Sequence, residues 1–213
     1  MVTSTAVIGI ALVALGLVLT PGPNMLYLVS RTLTQGRAAG LISLLGVAVG
    51  FLCYLVTAAL GLTTLFSVVP FLYDAIKLLG AAYLLYLAWQ ALRSSSPFEP
   101  RELPADSRRK LFTMGLVTNL LNPKIAVLYV SLLPQFIDPA RGHVAGQSLI
   151  LGTVQITIAL TVNCLIVLTA GSISRWLARR PAWLKVQRWV MASVLGALAV
   201  KMATDRARPA VVS

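Results

Sequence analysis

Two breaks in otherwise apolar stretches hold the residues best suited to chemistry. The first break comprises Thr20, Pro21, Gly22, Pro23 and Asn24, and the second carries Asn119, Asn122, Pro123 and Lys124. Proline has no N–H, so a helix crossing the first break would leave the carbonyls of Leu17 and Leu19 without donors. In hydrocarbon an unpaired carbonyl costs several kcal/mol, so such a break persists only inside protein or beside a polar cavity. Both breaks are therefore candidate binding sites.

The first break offers both kinds of partner that a small dipolar solute needs. Freed carbonyls accept hydrogen bonds from an ammonium, and the N–H groups after Pro23 form the positive end of the next helix, which suits a carboxylate. The side chains of Asn24, Asn119 and Asn122 can each donate and accept. We predict that a zwitterionic substrate lies across residues 20–24. The alternative is that the asparagines only cap the broken helices.

Lys124 is the one formal charge deep inside a predicted membrane span. A cation at the centre of a bilayer costs at least about 2.5–3.5 kcal/mol on insertion scales, so its presence calls for a reason. One interpretation is functional: Lys124 pairs with a substrate carboxylate or releases a proton. The other is structural: its ammonium reaches the interface or compensates carbonyls freed by Pro123.

Acidic residues are absent from the middle of every predicted span, which favours a neutral or zwitterionic substrate over a cationic one. The same absence restricts the candidate proton carriers to Lys124, Asp74 and Asp138. The alternative for both aspartates is a role in the connectors. The sequence has no His, Cys and acidic cluster typical of a catalytic or metal centre, so we predict no enzyme, no metal and no cofactor.

Composition identifies the class of protein. Of the 213 residues, 58% are hydrophobic and 11% are charged, and the mean hydropathy is +0.85. Soluble domains carry about 25% charged residues, so this chain is predicted to be an all-α polytopic protein surrounded by membrane lipid. The net charge of +12 would suggest nucleic acid for a soluble protein. Here the basic residues lie in short connectors, so nucleic-acid binding is not predicted.

Six apolar runs are long enough to cross a bilayer. They cover approximately residues 5–30, 38–65, 71–92, 111–137, 144–170 and 184–204. A polar linker, 94–110, divides the chain into a first repeat, 1–93, and a second, 111–213. Each repeat has three spans, so the second is inverted relative to the first, and each opens with a broken span. Matched interruptions in inverted repeats are typical of transporter binding sites.

The connectors predict the orientation. Twelve Lys and Arg residues lie in the odd-numbered connectors and two in the even-numbered ones, which places the odd connectors in the cytoplasm and both termini outside. Three basic residues near the C-terminus run against this pattern: Lys201, Arg206 and Arg208. Late charges have less influence on insertion than early loops, so we keep the assignment.

Gly46 and Gly50 have the spacing that lets helix backbones approach closely. Packing against another helix of the same chain is the simplest interpretation. The alternative is the face of a homodimer.

Four motifs in order resemble the LysE/RhtB family of bacterial amino-acid exporters. They are Thr20-Pro-Gly-Pro-Asn24, Gly36-Arg37 with Gly40, Lys77-Leu-Leu-Gly80-Ala-Ala-Tyr83-Leu, and Asn122-Pro-Lys124 ahead of Leu133-Pro-Gln-Phe136. The similarity extends from about residue 7 to 198. It implies an inner-membrane exporter of amino acids or derivatives such as homoserine, threonine or homoserine lactone, energised by the proton gradient.

Three other functions remain open at this level. The chain could be a membrane channel, a scaffold without active transport, or a transporter of another small metabolite. Uphill efflux that depends on a gradient would exclude the channel and the scaffold.

Overall fold

The computed structural model describes residues 2–68 and 105–178, together with single helical residues and pairs between 78 and 93 and between 189 and 204. For 62–68 and 171–178 it describes the backbone alone. Every element in this part of the chain is helical. The all-helical prediction is therefore confirmed for the described residues.

Three helices precede the linker. Helix α1 spans Ser4–Leu19 and is capped by Thr3, whose hydroxyl accepts from the amide of Ala6 at 3.1 Å. Helix α2 spans Pro23–Gln35, with proline in the first turn, where its missing N–H costs nothing. Its C-cap is Gly36, whose φ of 88° suits glycine. Helix α3 spans Arg37–Val68.

The second half begins with a broken helix and continues with a long one. Helix α4 spans Arg108–Leu120 and α5 spans Pro123–Val127. A π-helical turn at Leu128–Leu132 and a 3₁₀ turn at Leu133–Phe136 extend α5. A second 3₁₀ turn, Pro139–Arg141, leads into α6, Val144–Ala178. Prolines at the start of both 3₁₀ turns remove donors that a regular α-helix would use.

The described helices provide two to four membrane spans by length and composition. Residues Arg37–Gly61 of α3 and Val144–Ala170 of α6 have mean hydropathies of 2.3 and 2.0 and are each long enough to cross alone. The α1–α2 pair bends by 51° and the pair 108–120 with 123–136 bends by 47° at the two proline breaks. Helices therefore occupy the predicted first, second, fourth and fifth spans. Most of the third and sixth spans, most of the linker and Asp74 lie outside the described residues. The six-span inverted repeat therefore stays a prediction.

Helices α3 and α4 pack backbone to backbone. A Cβ atom at Gly46 would overlap the carbonyl oxygen of Phe112, and one at Gly115 would overlap that of Ser43. A Cβ at Gly50 would meet the side chain of Asn119. Gly46 and Gly50 thus serve packing within the chain, and their use as a homodimer face is wrong in this structure. A homodimer through another surface stays a prediction.

The opposite side of α3 carries large apolar side chains that the protein leaves uncovered. Leu45, Leu52 and Leu60 are 61%, 50% and 73% exposed, whereas Val47 and Phe51 on the inner side are buried. Exposed apolar side chains along a whole helix face suit contact with lipid rather than water.

Polar contacts join the first and third connectors at one end of the molecule. The amide of Asp106 donates to Oε1 of Gln35 at 2.9 Å, and its carboxylate pairs with Arg31 at 2.5 Å and Lys110 at 2.6 Å. Phe136 lies at the other end, against Gly9 of α1. The orientation of the chain in the membrane stays a prediction.

Candidate functional site

Lys124 joins the two breaks. Its ammonium donates to the carbonyl oxygen of Leu17 at 2.7 Å and to that of Thr20 at 2.8 Å, and the residue is 6% exposed. A Cβ on Gly22 would lie only 3.0 Å from Nζ, so glycine at this position leaves room for the ammonium. The segments 20–24 and 122–124 are therefore in direct contact.

These contacts refine the predicted acceptors. Pro21 offers no N–H to the Leu17 carbonyl, and Lys124 supplies the donor instead. The sequence predicted free carbonyls at Leu17 and Leu19, and in the structure the second carbonyl that accepts from Lys124 is that of Thr20. The structural alternative was that Lys124 compensates carbonyls freed by Pro123. Lys124 instead donates to carbonyls of the first break, so this alternative is wrong about which break is compensated. Close to that break, the carbonyl of Leu120 accepts from the Tyr54 hydroxyl at 2.8 Å.

The two polar atoms of the Asn122 side chain differ in their hydrogen bonding. Its Oδ1 accepts from the backbone N–H of Lys124 at 3.1 Å, which caps α5. That contact fixes the orientation of the amide, so the Nδ2 donor is the other end, and it is buried without a partner. Capping of α5 therefore explains the contact of Oδ1 but leaves the Nδ2 donor without a role.

In Asn163 of α6 the donor is used and the acceptor is not, which is the reverse of Asn122. Its Nδ2 donates to the carbonyl of Ala159 at 2.8 Å, so the unpartnered atom is the acceptor Oδ1. Asn24 also has a buried Oδ1 without a partner. Since a buried acceptor without a donor costs about 1–3 kcal/mol, two such atoms together indicate a place for a ligand or water that donates.

A cavity lies where these groups meet. Its polar lining includes Asn24, Asn122, Lys124, Gln155 and Asn163, and its apolar lining includes Leu17, Phe51 and Leu128. The volume open to the centre of a water molecule is about 20 Å³. This is enough for a water molecule and too little for an amino acid.

Of the three predicted asparagines, Asn119 is the one that does not line the cavity. It is completely buried beside Gly50 in the contact between α3 and α4, and both side-chain polar atoms lack a partner. Thr20 contributes its carbonyl, while its hydroxyl donates to Gly16 at 2.8 Å. Pro21, Pro23 and Pro123 act through the backbone that they interrupt.

Sequence reasoning missed three residues around the cavity. Gln155 and Asn163 lie on one face of α6, with Ala159 between them, and Tyr129 donates to Oε1 of Gln155 at 2.7 Å. The ring of Tyr129 stacks on that of Tyr54, with 5.5 Å between centroids. Polar side chains spaced two turns apart inside an apolar run were a signal that could have found the first two.

Asp138 lies away from the cavity, in the connector before α6. It is half exposed, caps the amide of Ala140 and pairs with Arg141 at 2.9 Å. This favours its connector role over proton transfer. Among the described residues, His, Cys, Asp and Glu form no group of three or more that could hold a metal ion.

Two interrupted membrane helices that meet at a buried polar cavity define a membrane transporter. The comparisons with known proteins agree. The chain matches the family model for the LysE type translocator over residues 15–206, and it belongs to this family. The resemblance seen in the sequence motifs is thereby confirmed.

The relatives are bacterial membrane proteins of similar length. YrhP of Bacillus subtilis is 29% identical over 78% of this chain and 83% of its own, and a Pseudomonas aeruginosa protein is 29% identical over 83% and 82%. A Vibrio cholerae protein is 34% identical over 66% of this chain and 68% of its own. All three are named as uncharacterized membrane proteins. No solved structure matches the chain significantly.

Proposed function

We propose that the protein exports a neutral or zwitterionic amino acid, or a close derivative such as homoserine or threonine, across the bacterial inner membrane. One observation carries the proposal: the two proline breaks meet through Lys124 beside a cavity with an unused donor on Asn122 and unused acceptors on Asn24 and Asn163. The zwitterion of an amino acid presents the complementary groups, an ammonium and a carboxylate, on the same carbon atom.

The charges around the cavity favour a substrate with an uncharged side chain. Among the described residues that line the cavity, Lys124 is the charged one and none is a carboxylate. A second cationic group on the substrate would therefore lack a counter-ion at low dielectric. A substrate carboxylate has both the Lys124 ammonium and the Asn122 amide within the same cavity.

Lys124 is our preferred proton carrier among the three predicted ones. Lys124 lies in the cavity, whereas Asp138 lies in a connector with Arg141. Asp74 lies outside the described residues and remains a candidate. The direction of transport rests on the family resemblance, and the external placement of both termini rests on the connector charges.

Reconstituted vesicles test the proposal. Purified protein is placed in liposomes loaded with a panel of neutral amino acids and homoserine lactone, and efflux is followed with and without an imposed proton gradient. We expect uphill efflux of at least one member that stops when the gradient is collapsed. Equilibration of a solute without a gradient would identify a channel. If no solute moves, the scaffold without active transport is the remaining function.

A lysine variant links transport to the site. Lys124→Met retains length and removes charge, and we expect it to reach the membrane and to lose export. Lys110→Met is the matched control, since that lysine lies in the first turn of α4 and its side chain is 58% exposed. Wild-type export by Lys124→Met would remove Lys124 from the mechanism. Metabolite profiling of the medium from overexpressing cells then identifies the substrate.

A further inference from the structure

The carbonyl oxygens of Leu17 and Thr20 converge on one ammonium group. Both are hydrogen-bonded to Nζ of Lys124, and the bonds differ by only 0.1 Å in length, 2.7 Å against 2.8 Å. They lie at the C-terminal end of α1, where the helix dipole presents partial negative charge. Main-chain oxygens at a negative helix end form a site for a cation with N–H donors.

We propose that these two oxygens form a primary-ammonium site that Lys124 occupies in the empty transporter and that the ammonium of the substrate occupies in turn. Leu17 and Lys124 both line the cavity, so a ligand in the cavity lies beside this ammonium site. A second observation also points to a ligand with N–H donors here: Asn24 lines the same cavity, and its Oδ1 atom is buried without a partner.

Only one ammonium can use the site at a time. Two cations sharing the same pair of oxygens would lie within a few ångströms of each other, and their repulsion at low dielectric amounts to several kcal/mol. Binding of the substrate ammonium therefore displaces Lys124, and the freed lysine side chain becomes available to the substrate carboxylate. This exchange rests on the proposed function, whereas the ammonium site itself does not.

The test uses small cations on purified protein. Wild type and Lys124→Ala are titrated with n-propylammonium and, at the same ionic strength, with tetramethylammonium, which has no N–H. Binding is measured by equilibrium titration and by the shift in unfolding temperature. We expect Lys124→Ala to bind n-propylammonium about tenfold more tightly than wild type, because the internal competitor is gone. Tetramethylammonium is expected to leave both proteins unchanged.

Lys110→Ala is the matched control and should bind like wild type. Equal affinity of wild type and Lys124→Ala for n-propylammonium, or an equal effect of tetramethylammonium, would overturn the proposal. If Lys124→Ala does not fold, Lys124→Met takes its place with the same two outcomes. Its side chain is neutral and has no N–H that could occupy the Leu17 or Thr20 carbonyl.

A third titration tests the substrate part of the exchange on wild-type protein. L-threonine is compared with its N-trimethyl derivative, and the derivative is expected to bind at least about tenfold more weakly. Equal binding would overturn the exchange. None of these measurements depends on transport, so a protein that binds n-propylammonium but moves no amino acid would disprove the proposed function and retain the ammonium site.

Discussion

The phenol of Tyr129 donates to Oε1 of Gln155 at 2.7 Å and so ties the second broken span to α6 at the cavity wall. Both residues are buried, Tyr129 to 1% and Gln155 to 2% exposure. Tyr129 lies in the π-helical turn, a geometry that is frequent at functional sites because it redirects side chains. This bond fixes the orientation of the Gln155 amide, because Oε1 must face the Tyr129 hydroxyl.

Tyr129→Phe removes this bond and leaves Oε1 of Gln155 buried without a donor. We expect a loss of about 1–3 kcal/mol in the free energy of unfolding, together with weaker substrate binding. Unfolding in detergent measures the first and a transport KM the second. The control is Thr157→Val on the exposed side of α6, where the hydroxyl bonds only to its own helix. Equal effects of the two changes would contradict the assignment.

Asn163→Asp places a carboxylate beside the cavity at almost unchanged size. The new charge supplies the counter-ion that a cationic side chain lacks in the wild-type lining, so we expect efflux of lysine to appear and efflux of neutral amino acids to fall. Competition between labelled amino acids in vesicles measures the switch. Asn163→Leu serves as the comparison and should lose transport without gaining lysine. An unchanged substrate preference in Asn163→Asp would exclude Asn163 from recognition.

Gly46→Ala forces a methyl group against the carbonyl of Phe112. Because backbone cannot move aside as a side chain can, we expect about 1–3 kcal/mol of destabilisation, measured by thermal unfolding. Gly61→Ala on the same helix meets no atom within 4 Å, and should be neutral or stabilising by up to about 1 kcal/mol through helix propensity. Similar behaviour of the two variants would contradict the close packing of α3 on α4.

Asp106→Asn should change the dependence of stability on pH. The hydrogen bond from Lys110 and the charge of Arg31 hold the pKa of Asp106 below its ordinary value of 3.8. A carboxylate with a lowered pKa in the folded protein stabilises above the unfolded value, and this contribution is lost as pH falls through the folded value.

Wild type is therefore expected to unfold at a higher temperature than Asp106→Asn at pH 7, and the two curves should converge as the pH falls from 3.8 toward about 2. Asp138→Asn is the control, because that carboxylate is 49% exposed and pairs with a neighbour in its own turn. A difference between wild type and Asp106→Asn that stays constant over this range would contradict the role of the carboxylate charge.

Local chemistry made the breaks predictable. Proline at the first position of a helix fixes φ and needs no donor, so α2 begins at Pro23 and α5 at Pro123, as the sequence indicates. The bends of 51° and 47° follow from the same missing N–H groups. The apolar runs likewise predicted α3 and α6, because backbone groups in lipid must be satisfied within a helix.

Long-range partners were beyond such reasoning. Lys124 bonds to a carbonyl 107 positions away, and nothing in the local sequence distinguishes that oxygen from those around Pro123. Asn119 has the same residue type and nearly the same position as Asn122, yet it faces Gly50 rather than the cavity. Which asparagine reaches the substrate site depends on how the helices rotate when they pack, and that is a tertiary property.

The glycine contact between α3 and α4 also limits how the molecule can move. Where main chain touches main chain, neither helix has a layer of side chains that could yield, so sliding or tilting would produce immediate overlap. We expect these two helices to move as one rigid unit through the transport cycle. Opening toward either side of the membrane would then be a hinge motion of α1 and α2 relative to that unit.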